Sequence, residues 1–268
     1  MKNRQIDGRN ILVGKKVADV ADAVIISTAG FPRLARLRPL VAVLVLCGGG
    51  ARAATLAKSG MFGGLKVDYK VVLPHAFDPA REYPVILAFG GGPQNMRIVD
   101  AALNRYWAPE AERRGYIVVS PAAPTDQLFF ESSDRIFPDF LDMILRDYKV
   151  QGGRMHVAGA SNGGVSAFHV ASLYPSYFRS VTVFPGYLND TTDQIVETLK
   201  SMCIYMHVGD RDNDWGRAMK QQYDMFRARG YSVVLFVEED QGHDLDWGPD
   251  DIAHLFEDLD AAAKGCLK

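Results

Sequence analysis

The 268-residue sequence has only three cysteines, no apolar run long enough to cross a membrane, and no excess of positive charge. The most apolar stretch, residues 39–47, is far shorter than the roughly 20 residues of a membrane-spanning helix. Three cysteines are too few for a disulfide-stapled scaffold, and the 48% hydrophobic content supplies an ordinary core instead. These features predict a globular protein without stable membrane insertion.

Metal and nucleotide motifs are also missing from the sequence. No Cys/His set has zinc-site spacing, and no G-K-[ST] follows a glycine run. The run "FGGGPQN" (89–95) lacks the last glycine or alanine of the dinucleotide motif G-x-G-x-x-G. We therefore expect no metal and no cofactor. Residues 54–268 carry 21 Lys and Arg against 29 Asp and Glu, a net charge of −8, which argues against a nucleic-acid partner.

The first 53 residues resemble a leader rather than part of a domain. Three arginines between residues 33 and 38 precede the apolar stretch, and A-R-A at 51–53 offers a small-residue cleavage site. The pattern predicts a secretory signal peptide, a secreted or periplasmic location, and one domain over 54–268. A buried first helix is the alternative. Residues 1–32 make this leader unusually long. A gene start placed too far upstream would explain the extra residues.

Cysteine pairing is left open by the sequence. Export would place Cys203 and Cys266 in an oxidising compartment, where a disulfide is permitted. Two free thiols, one buried and one on the carboxyl-terminal tail, fit the sequence equally well.

After the leader, strand-like and helix-like segments alternate along the chain. Residues 65–74 alternate apolar and polar side chains and predict an exposed edge strand, whereas 83–90 is continuously apolar, as a strand buried on both faces is. This alternation predicts an α/β fold with a mostly parallel sheet and helices on both faces. Right-handed crossovers would then collect the carboxyl ends of the parallel strands at one edge, where ligands bind.

A candidate nucleophile lies at one strand-to-helix junction. Gly159–Gly163, "GASNG", fits G-x-S-x-G between an apolar run and a helical pattern. A tight turn there would expose the hydroxyl of Ser161 above the sheet edge, next to a helix N-terminus that favours negative charge. The alternative is a purely structural turn built from small residues.

A serine nucleophile needs a base and a carboxylate that orients the base. Among six histidines, His243 is the one that follows a late strand in a polar loop. Three aspartates follow the preceding strand: Asp210, Asp212 and Asp214. Asp212 stands three residues after Gly209, where a turn can direct it at the histidine, whereas Asp210 comes at the strand end and Asp214 is placed to cap a helix.

The glycine run after the first buried strand is the candidate oxyanion hole. Glycines leave backbone N–H groups accessible to a substrate carbonyl. We expect one donor from Gly91 and the other from the N–H of Asn162, directly after the candidate nucleophile.

Together, "VILAFGGGP", "ERRGYIVVSP", "RMHVAGASNGG", "HVGDRDNDW" and "DQGHDLDW" resemble the α/β-hydrolase superfamily. More narrowly, the chain is similar to secreted esterases that include feruloyl and acetyl-xylan esterases and polyhydroxybutyrate-depolymerase-like enzymes. The resemblance implies the α/β-hydrolase fold and a Ser161–His243–Asp212 triad acting through an acyl-enzyme. One departure is Phe89-Gly90, where the family usually has His-Gly at the start of the glycine run.

The substrate is expected to be a feruloyl, acetyl or polyester-type ester, which could be polymeric, because no large lid is evident and aromatic residues stand near the site. Phe129 and Phe130 could line an acyl pocket, and Trp215 and Trp247 flank the predicted acid and base. Ordinary loop packing explains the same four residues equally well.

Two other functions remain open at this point. A serine peptidase of the same fold, of the prolyl-oligopeptidase kind, normally carries a propeller, for which the residues before the sheet are too few. A non-catalytic binding member of the fold could dispense with Ser161 or His243, and both are present.

Overall fold

The computed structural model describes residues 54–125 and 127–266. The predicted leader and signal peptide fall on residues 1–53, outside the described residues, and the domain boundary at residue 53 stays a prediction. Eight strands are present in the described part: β1 Ala54–Phe62, β2 Leu65–Leu73, β3 Val85–Phe89, β4 Ile117–Pro121, β5 Met155–Gly159, β6 Phe178–Val183, β7 Cys203–Gly209 and β8 Val233–Glu238.

Helices connect most of these strands. They are α1 Met96–Ala102, α2 Ala108–Arg114, α3 Phe137–Asp147, α4 Asn162–Leu173, α5 Asp193–Thr198, α6 Asn213–Ala228 and α7 Pro249–Ala263. A π-helical turn, Leu103–Trp107, joins α1 to α2, and short 3-10 turns occur at Asp134–Ile136, Gln151–Gly153 and Pro175–Tyr177.

The strands form one sheet in the order β1-β2-β4-β3-β5-β6-β7-β8. β1, β2 and β4 pair antiparallel, and the pairs from β4 to β8 are parallel, so the predicted mostly parallel sheet is confirmed. The prediction that residues 65–74 form an edge strand is wrong, because β1 covers the outer side of β2. The alternation in β2 reports one exposed face, shown by Lys66 and Asp68, and not an unpaired edge.

Helices cover both faces of the sheet, and the strands divide their side chains between two cores. In β3, Leu87 and Phe89 enter the core that contains residues of α3, α4 and α6. Ile86 and Ala88 point to the opposite core, which is closed by residues of α1, α2 and α7. This two-sided burial explains why the strand is a continuous apolar run, as expected for a doubly wound α/β protein.

Residues 99–115 have helical spacing in the sequence, and the helix that they form is interrupted before Pro109. Pro109 has no N–H to donate to the carbonyl of Arg105, and the turn before it widens, with the N–H of Ala108 bonding to Leu103. The helix then ends at Gly115 with φ 80°. The widened turn matters below because Arg105 and its neighbour face the candidate site.

Cys203, at the start of β7, forms a disulfide with Cys266, beyond the end of α7, with their Cα atoms 5.4 Å apart. The structure thus pairs the two thiols that the sequence left open. Among the described residues, no helix combines the length and the hydrophobicity that a membrane crossing requires. None of the connections that the structure describes is long enough to form a separate lid domain.

Candidate active site

Ser161 occupies the sharp turn between β5 and α4. Its backbone has φ 55° and ψ −123°, a conformation that costs a non-glycine residue on the order of 1–3 kcal/mol. The surrounding structure holds this turn, since the N–H of Ser161 donates to the carbonyl of Pro185 at 2.8 Å and the carbonyl of Ser161 accepts from Gly164 at 2.8 Å. The turn therefore lifts the hydroxyl away from the sheet.

Two glycines flank the serine because backbone segments pass too close for a side chain. A Cβ on Gly159 would overlap the carbonyl of Gly163, and a Cβ on Gly163 would overlap the carbonyl of Phe89. The G-x-S-x-G pattern is thus a steric requirement of the crossing between the turn, α4 and the end of β3.

Three side chains from distant loops meet at this edge of the sheet. The Oγ of Ser161 lies 2.8 Å from Nε2 of His243. Nδ1 of the same ring lies 2.7 Å from Oδ2 of Asp212, whose side chain is only 8% exposed. The His243 side chain is 37% exposed. A hydroxyl, an imidazole and a buried carboxylate therefore form a continuous hydrogen-bonded line that can pass a proton from the hydroxyl to the ring.

The other two aspartates of the loop after β7 are exposed. Asp214 is almost fully exposed and pairs with Arg217 at 3.4 Å, one turn along α6. Asp210 is exposed at the end of β7, where its backbone N–H donates to Glu238. Of the three, Asp212 is the one whose carboxylate contacts His243.

The acid loop and the histidine loop pack backbone against backbone. The N–H of Arg211 donates to the carbonyl of Gln241 at 2.9 Å. A Cβ on Gly209 would overlap the carbonyls of Gln241 and Gly242, so the absence of a side chain there lets the two loops approach. This contact fixes the distance over which Asp212 reaches His243.

The glycine run lies beside the serine, as the predicted oxyanion hole requires. A Cβ on Gly91 would lie 3.1 Å from the carbonyl oxygen of Ala160 and 3.4 Å from Cβ of Ser161, so the glycine run is in close contact with the serine turn. Asn162 is the first residue of α4, where a backbone N–H has no preceding helical carbonyl to bond. The side-chain amide of Asn162 also donates to the carbonyl of Gly92 at 3.0 Å and ties the run to the helix.

An open cavity of about 350 Å³ lies next to Ser161. That volume is within the range of small-ligand sites. Its lining comes from the glycine run, the serine turn, the histidine loop and the α1–π segment: Gly91, Gly92, Ile98, Ala101, Ala102, Arg105, Tyr106, Ala160, Ser161 and Asp244. The cavity therefore opens directly beside the hydroxyl of Ser161.

The two phenylalanines predicted to line an acyl pocket do not line this cavity. Phe129 is fully buried and packs its ring against Phe89 and Phe137, so it is a core residue and the prediction for it is wrong. Phe130 faces a different cavity of about 280 Å³, beside His169. An aromatic residue in a loop turns inward when the loop covers an apolar face, and residue type alone cannot show this.

The two tryptophans have different positions. Trp215 lies with its ring centre 4.8 Å from that of His243 and contacts Tyr187 on its other side, also at 4.8 Å. Trp247 is buried against Phe184 and is not among the cavity-lining residues, although its ring contacts Tyr106, which is. Trp215 thus packs directly on the imidazole, and Trp247 supports the wall of the cavity from behind.

Sequence reasoning missed the wall formed by Arg105 and Tyr106. The guanidinium of Arg105 donates to the carbonyl of Leu245 at 2.9 Å and lies 3.3 Å from Asp246. Burial of Tyr106 raises the pKa of its phenol, the nearby charges of Asp244 and Asp246 act in the same direction, and Arg105 opposes them. The phenol is therefore neutral at physiological pH. The sequence held one sign of this wall, a helical pattern broken near Pro109. Such a break can mark a π turn, and π turns often occur at functional sites.

Comparison with known proteins places the chain in a family. The model of the Esterase family matches residues 64–236. A ferulic acid esterase superposes with a TM-score of 0.64 at 18% identity, covering 80% of this chain and 98% of that one. The ferulic acid esterase of the anaerobic fungus Anaeromyces mucronatus gives a TM-score of 0.59 at 16% identity, covering 77% and 89%. Dienelactone hydrolase from Anabaena variabilis gives 0.58 at 16%, covering 81% and 100%.

Dipeptidyl-peptidase 5 of Porphyromonas gingivalis is 30% identical over 136 residues. The match covers 44% of this chain and 19% of that protein, so the chain corresponds to about a fifth of its length. The solved structures agree on the α/β-hydrolase fold, and the family match spans well over half of the chain. The chain belongs to the Esterase family, a family of putative esterases, and has the α/β-hydrolase fold.

Proposed function

We propose that the protein hydrolyses esters by two-step acyl transfer at Ser161. In the first step Oγ of Ser161 attacks the ester carbonyl carbon while Nε2 of His243 takes the hydroxyl proton. Asp212 holds Nδ1–H of the ring and stabilises the imidazolium that forms. The observation that carries this proposal is the continuous line of contacts at 2.8 and 2.7 Å.

The negative oxygen of the tetrahedral intermediate would accept hydrogen bonds from the N–H groups of Gly91 and Asn162. Collapse of the intermediate breaks the bond to the alcohol, which leaves with the proton from His243. A water molecule then gives its proton to His243 and attacks the acyl carbon, and the acid is released as the proton returns to Ser161. The N-terminus of α4 adds a favourable field for the oxyanion.

The substrate class we favour is a small acyl or aromatic acyl ester, feruloyl or acetyl, including polyester-type chains. Support comes from the open cavity with Ile98 and Tyr106 in its wall and from Trp215 on the histidine. The ferulic acid esterases among the structural neighbours make feruloyl esters the first substrates to try. A panel of methyl ferulate, short 4-nitrophenyl esters and a soluble polyester oligomer would rank these possibilities by kcat/KM.

We also propose that the protein is exported. The sequence pattern of residues 33–53 motivates this proposal, and the Cys203–Cys266 disulfide is compatible with an oxidising compartment. Amino-terminal sequencing of protein recovered outside the cytoplasm would test it, and a mature start at Ala54 is expected.

Ser161→Ala tests the reaction mechanism directly. Loss of the nucleophile should lower kcat for 4-nitrophenyl acetate by on the order of 10⁴-fold or more, and His243→Gln should do the same. His254→Gln is a matched control, since His254 lies on α7 and contacts neither Ser161 nor Asp212 in the structure. Full activity of Ser161→Ala would exclude the mechanism and would favour a non-catalytic role for the turn.

A peptidase activity on the same triad is the second candidate, because of the similarity to dipeptidyl-peptidase 5. Aminoacyl-4-nitroanilides and the matching aminoacyl esters separate the two functions. A kcat/KM for the amide comparable to that for the ester would favour the peptidase. We expect strong preference for the ester.

A further inference from the structure

Gln94 ends the glycine run in an unusual position. It is 1% exposed. Its backbone has φ 52°, in the left-handed region that residues other than glycine and asparagine rarely adopt. A long polar side chain in such a place costs free energy unless all of its hydrogen-bonding groups find partners. The surroundings of Gln94 supply those partners.

The side-chain amide of Gln94 joins three segments of the chain. Its Nε2 donates to Oγ of Ser166 on α4 at 2.9 Å and to the carbonyl of Gly90 at 3.3 Å. Its Oε1 accepts the backbone N–H of Phe129 at 3.0 Å. The carbonyl of Gly90 can only accept and the N–H of Phe129 can only donate, so the orientation of the amide is fixed by its neighbours.

The backbone of Gln94 adds two further links. Its N–H donates to the carbonyl of Gly91 at 3.2 Å and closes the turn that contains the predicted oxyanion donor. Its carbonyl accepts from Ala123 at 2.9 Å. Gln94 therefore holds the turn that carries Gly91 from inside the protein, through a bond to the helix that begins directly after Ser161, while the amide of Asn162 holds the run at the exposed side through Gly92.

We infer that Gln94 is a positioning residue that sets the N–H of Gly91 at the distance from Ser161 needed to bind the oxyanion. The inference rests on the proposed function, because it concerns the oxyanion hole of that reaction. Two contacts carry it: the amide bonds both to Gly90, next to the donor, and to Ser166, on the helix whose first N–H is the second donor. Loosening this link lets the two donors drift apart while the triad stays intact.

Gln94→Glu provides the sharpest test, because the shape of the side chain is kept. A buried carboxyl has a raised pKa, so at low pH it is neutral and its O–H can replace the N–H donor. At high pH it is an anion facing the carbonyl of Gly90, and the link is lost. We expect kcat relative to wild type to be lowered about 10- to 100-fold at pH 8, with KM little changed, and to recover toward one as the pH falls to about 5. Dividing by the wild-type rate at each pH removes the pH dependence that the two enzymes share.

Ser166→Ala and Ser180→Ala form a matched pair of variants. They test the inference even if Gln94→Glu fails to fold. Both serines are fully buried, and each bonds one side-chain nitrogen, Ser166 that of Gln94 at 2.9 Å and Ser180 that of His156 at 2.8 Å. Both losses should lower thermal stability similarly. Only Ser166→Ala should lower kcat, by roughly 2- to 10-fold, the rate equivalent of one hydrogen bond.

Phenylboronic acid, which bonds to a serine Oγ as a tetrahedral adduct, gives a second measurement of the same hole. Its affinity should fall in Gln94→Glu at pH 8 by the same factor as kcat. Wild-type kcat in both Gln94→Glu and Ser166→Ala would overturn the inference, as would equal kcat losses in Ser166→Ala and Ser180→Ala. Failure of the proposed function itself appears differently, as ester hydrolysis that survives Ser161→Ala.

Discussion

The carboxylate of Asp258 lies 2.9 Å from Nε2 of His207, and the other ring nitrogen of His207 lies 2.9 Å from Glu238. His207 is on β7, Glu238 ends β8, and Asp258 is on α7, so one imidazole joins the three elements. A neutral imidazole can donate a hydrogen bond from only one nitrogen, whereas hydrogen bonds to both carboxylates require a donor on each nitrogen. The cluster therefore favours one extra proton, with which both ring nitrogens can donate.

The first prediction is that stability falls on the alkaline side because of this cluster. Burial opposes the charged ring, but the hydrogen bonds and charges of Asp258 and Glu238 outweigh it, and the pKa of His207 is raised. The native state then binds the proton more tightly than the unfolded chain does. The stabilisation is complete below about pH 6.5 and is lost as the pH rises through the raised pKa. Urea unfolding between pH 6 and pH 9 measures it.

Asp258→Asn distinguishes this cause from other titrations. An amide at this position can donate to a neutral imidazole, so the extra proton is no longer needed and the unfolding free energy should change less with pH. Glu257→Gln is the control, since the neighbouring carboxylate of Glu257 lies 3.9 Å from Arg114 and is not bonded to His207. Equal flattening of the pH dependence in both variants would rule out the role of His207.

A second prediction concerns the contact between the acid loop and the histidine loop. A methyl group at Gly209 would overlap the carbonyls of Gln241 and Gly242, so Gly209→Ala should push His243 away from Asp212. A displacement of about 1 Å in such a site can cost on the order of 10²-fold in rate, and we expect a loss of that size in kcat/KM.

Gly216→Ala is the matched control for Gly209→Ala. A Cβ there meets only a Val208 methyl carbon at 3.7 Å, an ordinary contact, and the residue is inside α6. That substitution should leave activity unchanged and raise stability by roughly 0.5–1 kcal/mol. A Gly209→Ala enzyme as active as Gly216→Ala would show that the loops can separate without consequence.

Local patterns in the sequence predicted much of this architecture. They fail where the structure depends on contacts between residues far apart in the sequence. The apolar run 83–90 located β3, and G-x-S-x-G located the turn at Ser161, because both depend on neighbours close in sequence. The strand β1 was not expected next to the predicted leader, and its absence made β2 look like an edge.

The cavity wall shows where such patterns stop being informative. Arg105 and Tyr106 face the site because a π turn rotates the helix, and Phe129 turns into the core because Phe89 and Phe137 lie beneath it. The sequence gives no sign of the role of Gln94, because a buried amide is recognised only from its hydrogen-bond partners. Each of these depends on contacts between distant segments.

The third prediction is that the disulfide contributes substantially to stability. Cys203 and Cys266 are separated by 63 residues, and their bond connects β7 to the segment after α7. Closing a loop of that size typically contributes about 2–4 kcal/mol, largely by restricting the unfolded chain. The double substitution Cys203→Ser, Cys266→Ser should lower the unfolding free energy by that amount. Urea unfolding with and without reductant checks it, and a wild-type midpoint unaffected by reductant would contradict it.

The fourth prediction separates three aspartates that lie within five residues of one another. Asp212→Asn keeps the shape of the side chain but removes the charge that stabilises the imidazolium, and an amide favours the wrong tautomer of His243. We expect kcat to fall by on the order of 10⁴-fold with little change in KM. Asp210→Asn and Asp214→Asn should keep wild-type kcat, since the first carboxylate is exposed at the strand end and the second pairs with Arg217. The three enzymes are compared with one 4-nitrophenyl ester over pH 6 to 9. If Asp214→Asn were the inactive variant, the acid loop would adopt another conformation during turnover, and Asp212 would be a structural carboxylate beneath the histidine.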